Sequence, residues 1–293
     1  MNNGLACQIS FECFPPKTEA GLANFKTTAL ALSHYRPDFF SVTFGAGGST
    51  RDGTFCTVNT LQQLTNMNIV PHLSCIGLTR EQLATIVQQY QSMGVKRIVA
   101  LRGDLPSGMG QSGEFQFASD LVKLIRDISG DYFHIDVAAY PEIHPQTRNV
   151  RDDILNLKRK CEAGADSAIT QYFFNPDAYF YYLDDCARYG IAVPIVPGIM
   201  PITQFTKLSR FSNLCGAEIP LWIRKRLESF GDDIDAIYAF GLEVIYHLCE
   251  RLIAGGAPGL HFYTLNKSTM ITALLEALNV APISNSLNAA TIK

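Results

Sequence analysis

Glu12 interrupts an apolar run, Ile9-Ser10-Phe11-Glu12-Cys13-Phe14. A carboxyl group in such a setting is partly desolvated, which suits a general acid. Pairing with a nearby Arg or Lys to close off apolar packing would put the same residue there. A second feature is Leu101-Arg102-Gly103-Asp104, where opposite charges flank a glycine that lets backbone approach a ligand closely. The same tripeptide could equally be a turn with an internal ion pair. Thr43-Phe44-Gly45-Ala46-Gly47-Gly48-Ser49-Thr50 is rich in glycine but fails G-x-G-x-x-G at Thr50, and it lacks the Gly-Lys of a P-loop. Asp153, Asn156 and Lys160 fall on one helical face, with Arg159 adjacent. A solvated surface helix has this look, and a polyphosphate or ribityl chain lying along the helix would use the same groups.

Other chemistries are excluded or weakened. His72 and His144 have no further ligands at metal spacing, no H-E-x-x-H occurs, and no metal is expected. His261 lies within an apolar run, where a hydrogen-bonded core histidine is the default. No G-x-S-x-G supplies a hydrolase nucleophile. The sixth and seventh strand candidates hold no lysine for a Schiff-base aldolase.

These residues need elements to position them. Eight β-rich runs, 8–14, 38–44, 69–76, 97–101, 134–139, 167–173, 193–199 and 259–265, alternate with amphipathic helical stretches. Prolines 15, 16, 141, 197 and 201 gather near the ends of the runs. Thr79 reads as a helix N-cap ahead of Leu83, Ile86, Val87 and Tyr90. Repeated βα units joined by right-handed crossovers give either an open sheet or a barrel, and eight of them favour an α/β fold of the (β/α)8 TIM-barrel type. Between the seventh and eighth strands lie about twenty-five residues more than one βα unit needs. Segments 220–230 and 235–253 read as successive helices there, so that loop region carries an extra helix. The polar groups that then fall at the C-terminal ends of strands, where barrels carry their active sites, are Glu12, Thr43, His72, Arg102 and Asp104, Tyr140 and His144, Gln171, and Lys267.

Composition agrees. The 293 residues are 47% apolar and 17% charged, enough for a large core without disulfides or metals, and residues 1–293 read as one domain. The net charge of −3 is scattered, with no basic stripe for nucleic acid or anionic membrane. Eight dispersed cysteines without a C-x-x-C read as reduced, mostly buried thiols of a cytoplasmic protein. No signal peptide and no membrane-spanning run is seen. The small polar tail after about 281 is expected to be weakly ordered.

Taken together in order, the blocks resemble a family. Phe11-Glu12-Cys13-Phe14-Pro15-Pro16-Lys17 resembles the F-E-F-F-P-P-[KR] opening of methylenetetrahydrofolate reductases. In the same register follow Ser41–Gly48, Pro71–Cys75, Ala100–Asp104, Ala139–Pro145, Leu157–Lys160, Ala168–Phe174, Val196–Pro201 and His261–Asn266. The resemblance covers about residues 8–280 and is to the short bacterial form. It implies an FAD-dependent oxidoreductase that binds FAD in a barrel, which accounts for the missing dinucleotide fingerprint. The implied FAD contacts are Thr43, His72, Arg102, Gly103, Asp104, Phe117, Ala118, Tyr140, His144, Thr147, Asp153, Asn156, Arg159 and Lys160. Glu12 and Asp104 are implied as catalytic, and Glu12, Thr43, Asp104, Gln171, Phe211 and Lys267 as binding folate or nicotinamide. The family's ping-pong chemistry has NADH or NADPH reduce FAD, which then reduces 5,10-methylenetetrahydrofolate to 5-methyltetrahydrofolate for methionine synthesis. A homo-oligomer is implied too. Three positions depart from the family pattern: Phe117 replaces a common tyrosine, Lys207 a glutamine and Lys267 an arginine. Lys207 is left outside the site, and Lys267 loses the bidentate fork of arginine. The alternative is another flavin-binding barrel oxidoreductase.

Overall fold

The computed structural model describes residues 7–44, 48–104, 113–280 and 282. The tail after 281 and part of the glycine-rich segment, residues 45–47, lie outside the described residues, Pro282 excepted. Strands β1 (Gln8–Cys13), β2 (Phe39–Val42), β3 (Ile69–Ser74), β4 (Arg97–Leu101), β5 (His134–Ala139), β6 (Ser167–Thr170), β7 (Ile195–Val196), β8 (Gly198–Ile199) and β9 (Gly259–Tyr263) form one parallel sheet. Its order is β7-β6-β5-β4-β3-β2-β1-β9-β8. The expected seventh strand is therefore split. β7 pairs with β6 and β8 with β9, so the ring closes through the chain at Pro197. Proline has no N–H for a ladder, and the Pro197 carbonyl instead accepts from the His261 amide at 3.0 Å. The Gly198 amide donates to Thr170 Oγ1 at 2.9 Å. A Cβ on Gly198 would collide with the Thr170 carbonyl and lie 2.7 Å from the Tyr263 ring, so closure needs a glycine there. The outcome is the expected TIM barrel.

Helices α1 (Glu19–Ser33), α2 (Gly48–Thr65), α3 (Arg80–Ser92), α4 (Ala118–Ser129), α5 (Val150–Glu162), α6 (Pro176–Arg188) and α10 (Thr269–Ala277) follow the strands in the βα rhythm. Local chemistry starts them: Thr79 caps α3 in a capping box with Gln82, and Asn149 caps α5. Between β8 and β9 stand α7 (Phe205–Cys215), α8 (Leu221–Phe230) and α9 (Ile234–Ala254). The last two match the two helices expected from sequence, and α7 is an addition. It buries Leu208 and Ser212, with Phe205 and Cys215 packed on the same core, a helical spacing that is present in the sequence but not among the elements expected from it. No described helix is long and apolar enough to cross a membrane.

Strand alternation sorts side chains into two layers. Phe11, Phe40, Leu73, Ile98, Val137, Ala168 and Phe262 face the helices in the main core. Phe39, Val70, Val99 and Ile169 form a separate cluster on the opposite face, inside the barrel. The register puts Ser10 beside Phe39 and His261, Glu12 beside Ser41 and Tyr263, and His72 beside Val99. The interior is thus apolar in part and polar toward its mouth. At the other end Arg97 donates to Asp136 Oδ2 at 2.6 Å, Asp136 Oδ1 at 2.9 Å and Asp38 Oδ2 at 2.9 Å, and its guanidinium lies 4.2 Å over the Phe39 ring.

Candidate active site

The strands end sooner than the sequence runs suggested, at Val42, Ser74 and Thr170 instead of 44, 76 and 173. Thr43 and Gln171 consequently sit just beyond the last ladder residue, where loops leave the C-terminal rim. Above that rim opens a cavity of about 1600 Å³. It is lined by Glu12, Thr43, His72, Arg102, Gly103, Asp104, Phe117, Ala118, Tyr140, His144, Thr147, Asp153, Asn156, Arg159, Lys160, Gln171 and Phe211. Lys267 alone among the candidate residues is exposed and outside the lining. Its loop, anchored by Asn266 bonds to the Phe14 backbone, lies beside the mouth.

Gly103 has φ +83°, and a Cβ there would run into the Ser74 hydroxyl. Ser74 Oγ donates to the Arg102 carbonyl at 2.9 Å, as does the Ile76 amide, so the Arg-Gly-Asp turn is stitched to the end of β3. Arg102 reaches Gln146 and the Gly103 carbonyl. Among the described residues it makes no ion pair with Asp104, so the internal-pair reading of this turn does not hold. That leaves Asp104 exposed in the mouth.

The face of α5 is not a simple solvated one. Asp153 is buried, and its Oδ2 accepts from the His144 amide at 2.8 Å. The Tyr140 and His144 rings meet edge to face at 4.6 Å. The half-buried Lys160 turns its ammonium onto the Ala138 carbonyl. Burial pulls its pKa down to about 8, against the pull of Asp153. Burial likewise raises the Asp153 carboxyl and lowers His144. Arg159, exposed at the rim, bonds Asn156 at 2.8 Å. Cations and hydrogen-bonding groups thus run along one wall, a donor set matched to an elongated anionic ligand.

On the floor, Glu12 Oε2 lies 3.6 Å from His72 Nε2, a buried nitrogen with no hydrogen-bond partner. Burial drives the His72 pKa down. Tyr263, whose hydroxyl donates to the Thr170 carbonyl at 2.7 Å, completes the floor.

Comparison with known proteins gives the family. The model of the family described as methylenetetrahydrofolate reductase matches residues 3–279. The 5,10-methylenetetrahydrofolate reductase of Escherichia coli (strain K12) is 39% identical over 274 residues, 94% of this chain and 91% of that protein. The chain belongs to the methylenetetrahydrofolate reductase family. It is accordingly an oxidoreductase. The family also includes "Methylenetetrahydrofolate reductase (NADH) 1" of Arabidopsis thaliana, 37% identical across 95% of this chain and 50% of the longer plant protein. A Clostridium thermocellum protein that binds two copies of 5-methyl-5,6,7,8-tetrahydrofolic acid shares the fold, with TM-score 0.66 at 19% identity over 92% of this chain and 93% of that one.

The reductase cavity also holds residues that the sequence did not single out: Ser74, Gln146, Tyr172, Cys215 and Tyr263. Ser74, Tyr172 and Tyr263 lie inside blocks of the resemblance, Pro71–Cys75, Ala168–Phe174 and His261–Asn266, and so carried a signal. Gln146, in the loop before α5, and Cys215, at the end of α7, carried none.

Proposed function

We propose that the chain reduces 5,10-methylenetetrahydrofolate to 5-methyltetrahydrofolate, with FAD held in the barrel mouth and NADH or NADPH as reductant, in a ping-pong sequence that feeds methionine synthesis. The observation that supports it most is a carboxyl, Glu12, on the floor of a cavity of about 1600 Å³ whose wall carries Arg102, Arg159 and Lys160. That donor set fits FAD. The three cations suit a pyrophosphate. Asp153, Asn156, Thr147 and Thr43 suit the hydroxyls of ribityl and ribose groups, and Tyr140, His144, Phe117 and Ala118 suit an aromatic base. The unpartnered His72 Nε2 and the close backbone approach at Gly103 suit a flavin ring edge. When bound, FAD supplies the hydride relay between nicotinamide and folate.

The residues of the chain do the rest. Glu12 protonates N10 of the folate as its five-membered ring opens. Asp104 offsets the positive charge that develops on N5. Gln171 and Phe211 hold the pterin and its aryl group, and the exposed Lys267 meets the charged tail of the folate. A cytoplasmic location and a homo-oligomeric state complete the proposal.

The test separates the half-reactions. The holoprotein should be yellow, bleach with NADH or NADPH under nitrogen, and recover on adding methylenetetrahydrofolate. Glu12→Gln should bleach normally and recover at least about a hundredfold more slowly, because only the folate half needs the proton. Bleaching without folate-dependent recovery in the unaltered protein would point to another flavin-binding oxidoreductase.

A further inference from the structure

Glu12 has a second histidine beside it. His261 Nε2 lies 3.9 Å from Glu12 Oε2 and 3.5 Å from Ser41 Oγ, and its Nδ1 lies 2.8 Å from Ser10 Oγ. The ring stacks on Phe39 at 5.6 Å and 27°, and stands edge-on to Tyr263 at 5.6 Å and 87°. It is 1% exposed. In the ladder it is level with Ser10, one layer beneath the Glu12–Tyr263 pair. The ring thus sits on the cavity floor behind Glu12.

The tautomer follows from what each nitrogen faces. Nε2 looks at two acceptors, the Glu12 carboxylate and the Ser41 hydroxyl oxygen, and so carries the proton. Nδ1 is then the acceptor for the Ser10 hydroxyl. This places one N–H between two alternatives. It can lean to Glu12 when that carboxyl is ionised and to Ser41 when it is protonated. A proton donor that must be reloaded in each turnover needs a neighbour that tolerates both states.

We propose that His261, oriented by Ser10, is a positioning residue whose Nε2–H, bonded to Ser41 and 3.9 Å from Glu12 Oε2, biases that carboxyl electrostatically toward its proton-delivering orientation. The inference rests on Glu12 being the acid of the folate half-reaction. His72 bounds the same oxygen from the other side, and among the described residues Cys13, Asp136 and Tyr263 are further titratable groups near the cluster.

Two side chains divide the functions of the imidazole. Glutamine at 261 sets an amide N–H near the place of Nε2, whereas asparagine reaches only the place of Nδ1. In the FAD-loaded protein, His261→Asn should slow flavin recovery at saturating methylenetetrahydrofolate by roughly tenfold. His261→Gln should stay within a few-fold of the unaltered rate, and both should be reduced normally by NADH or NADPH. Ser10→Ala, which removes the orienting bond with little change of packing, should slow the same step and leave the first intact. Equal rates for His261→Asn and His261→Gln, or equal loss in both half-reactions, or an unaffected Ser10→Ala, would overturn the inference. A Glu12→Gln protein that recovers at the normal rate would instead sink the reading of Glu12 itself.

Discussion

At the scale of single residues, Lys160 carries a testable consequence of its burial. Its pKa falls to about 8 because the ammonium is desolvated against the Ala138 carbonyl, with Asp153 only partly compensating. An anionic ligand binds the protonated form better, so binding of FAD should be constant below about pH 8 and weaken as pH rises through that value. The sign for stability is separate. A lysine whose folded pKa is lowered binds more protons unfolded than folded between about 8 and its ordinary value, so its contribution to stability rises with pH across that window. Titration of apoprotein with FAD from pH 6 to 10, followed by quenching of flavin fluorescence, checks the first effect. Lys160→Met should bind more weakly at pH 7 and lose the pH dependence. A variant that keeps the same profile would show that Lys160 does not meet the cofactor.

At the scale of elements, the site depends on how loops are fastened to strand ends. The Arg102–Asp104 turn leaves β4 but is held by β3, through Ser74 Oγ and the Ile76 amide on the Arg102 carbonyl. Gly103 makes this possible twice over, by its φ of +83° and by leaving room for the Ser74 hydroxyl. Gly103→Ala should therefore cost roughly 1–3 kcal/mol of stability and strip most of the flavin from the purified protein. Adding Ser74→Gly should relieve the collision but not the φ strain, and so restore only part of the loss. Thermal unfolding and bound-flavin stoichiometry measure the two effects. Full rescue by the double substitution would mean that the backbone strain is negligible.

At the scale of the whole molecule, the two ends of the barrel divide their duties, as is general for this fold. The mouth holds the candidate site, while the opposite end is tied by Arg97 to Asp136 on neighbouring β5 and to Asp38 just before β2. Asp136 is fully buried and also accepts from Ser167 Oγ at 2.5 Å. Removing the arginine strands a buried charge, which is far costlier than an exposed pair is worth. Arg97→Ala should lose about 3 kcal/mol or more, yet retain its turnover per bound flavin while folded. Denaturant melts and rates normalised to flavin content test this. A fall in normalised turnover would show that the two ends are coupled.

The sequence by itself determined the alternation of strands and helices, the cap at Thr79, the helices over 220–230 and 235–253, and the polar residues that end the strands. These are local properties: a period of two or 3.6, a capping side chain, a proline. Seventeen of the eighteen candidate residues line one cavity: the strand-end ones because the strand ends of a parallel barrel converge, the others, on helices and loops, as the resemblance implied. Tertiary structure decided the remainder. Pro197 splits the closing run into two short strands, because it has no N–H for a ladder while Gly198 passes close to Thr170 and Tyr263. Lys267 stays outside the lining, α7 adds itself to the wall, and Arg102 turns to Gln146 instead of Asp104. His261, legible only as a core histidine, comes within 3.9 Å of a carboxyl 249 positions earlier in the chain. Such contacts depend on the stagger with which the strands close into a ring, and no local period encodes that stagger.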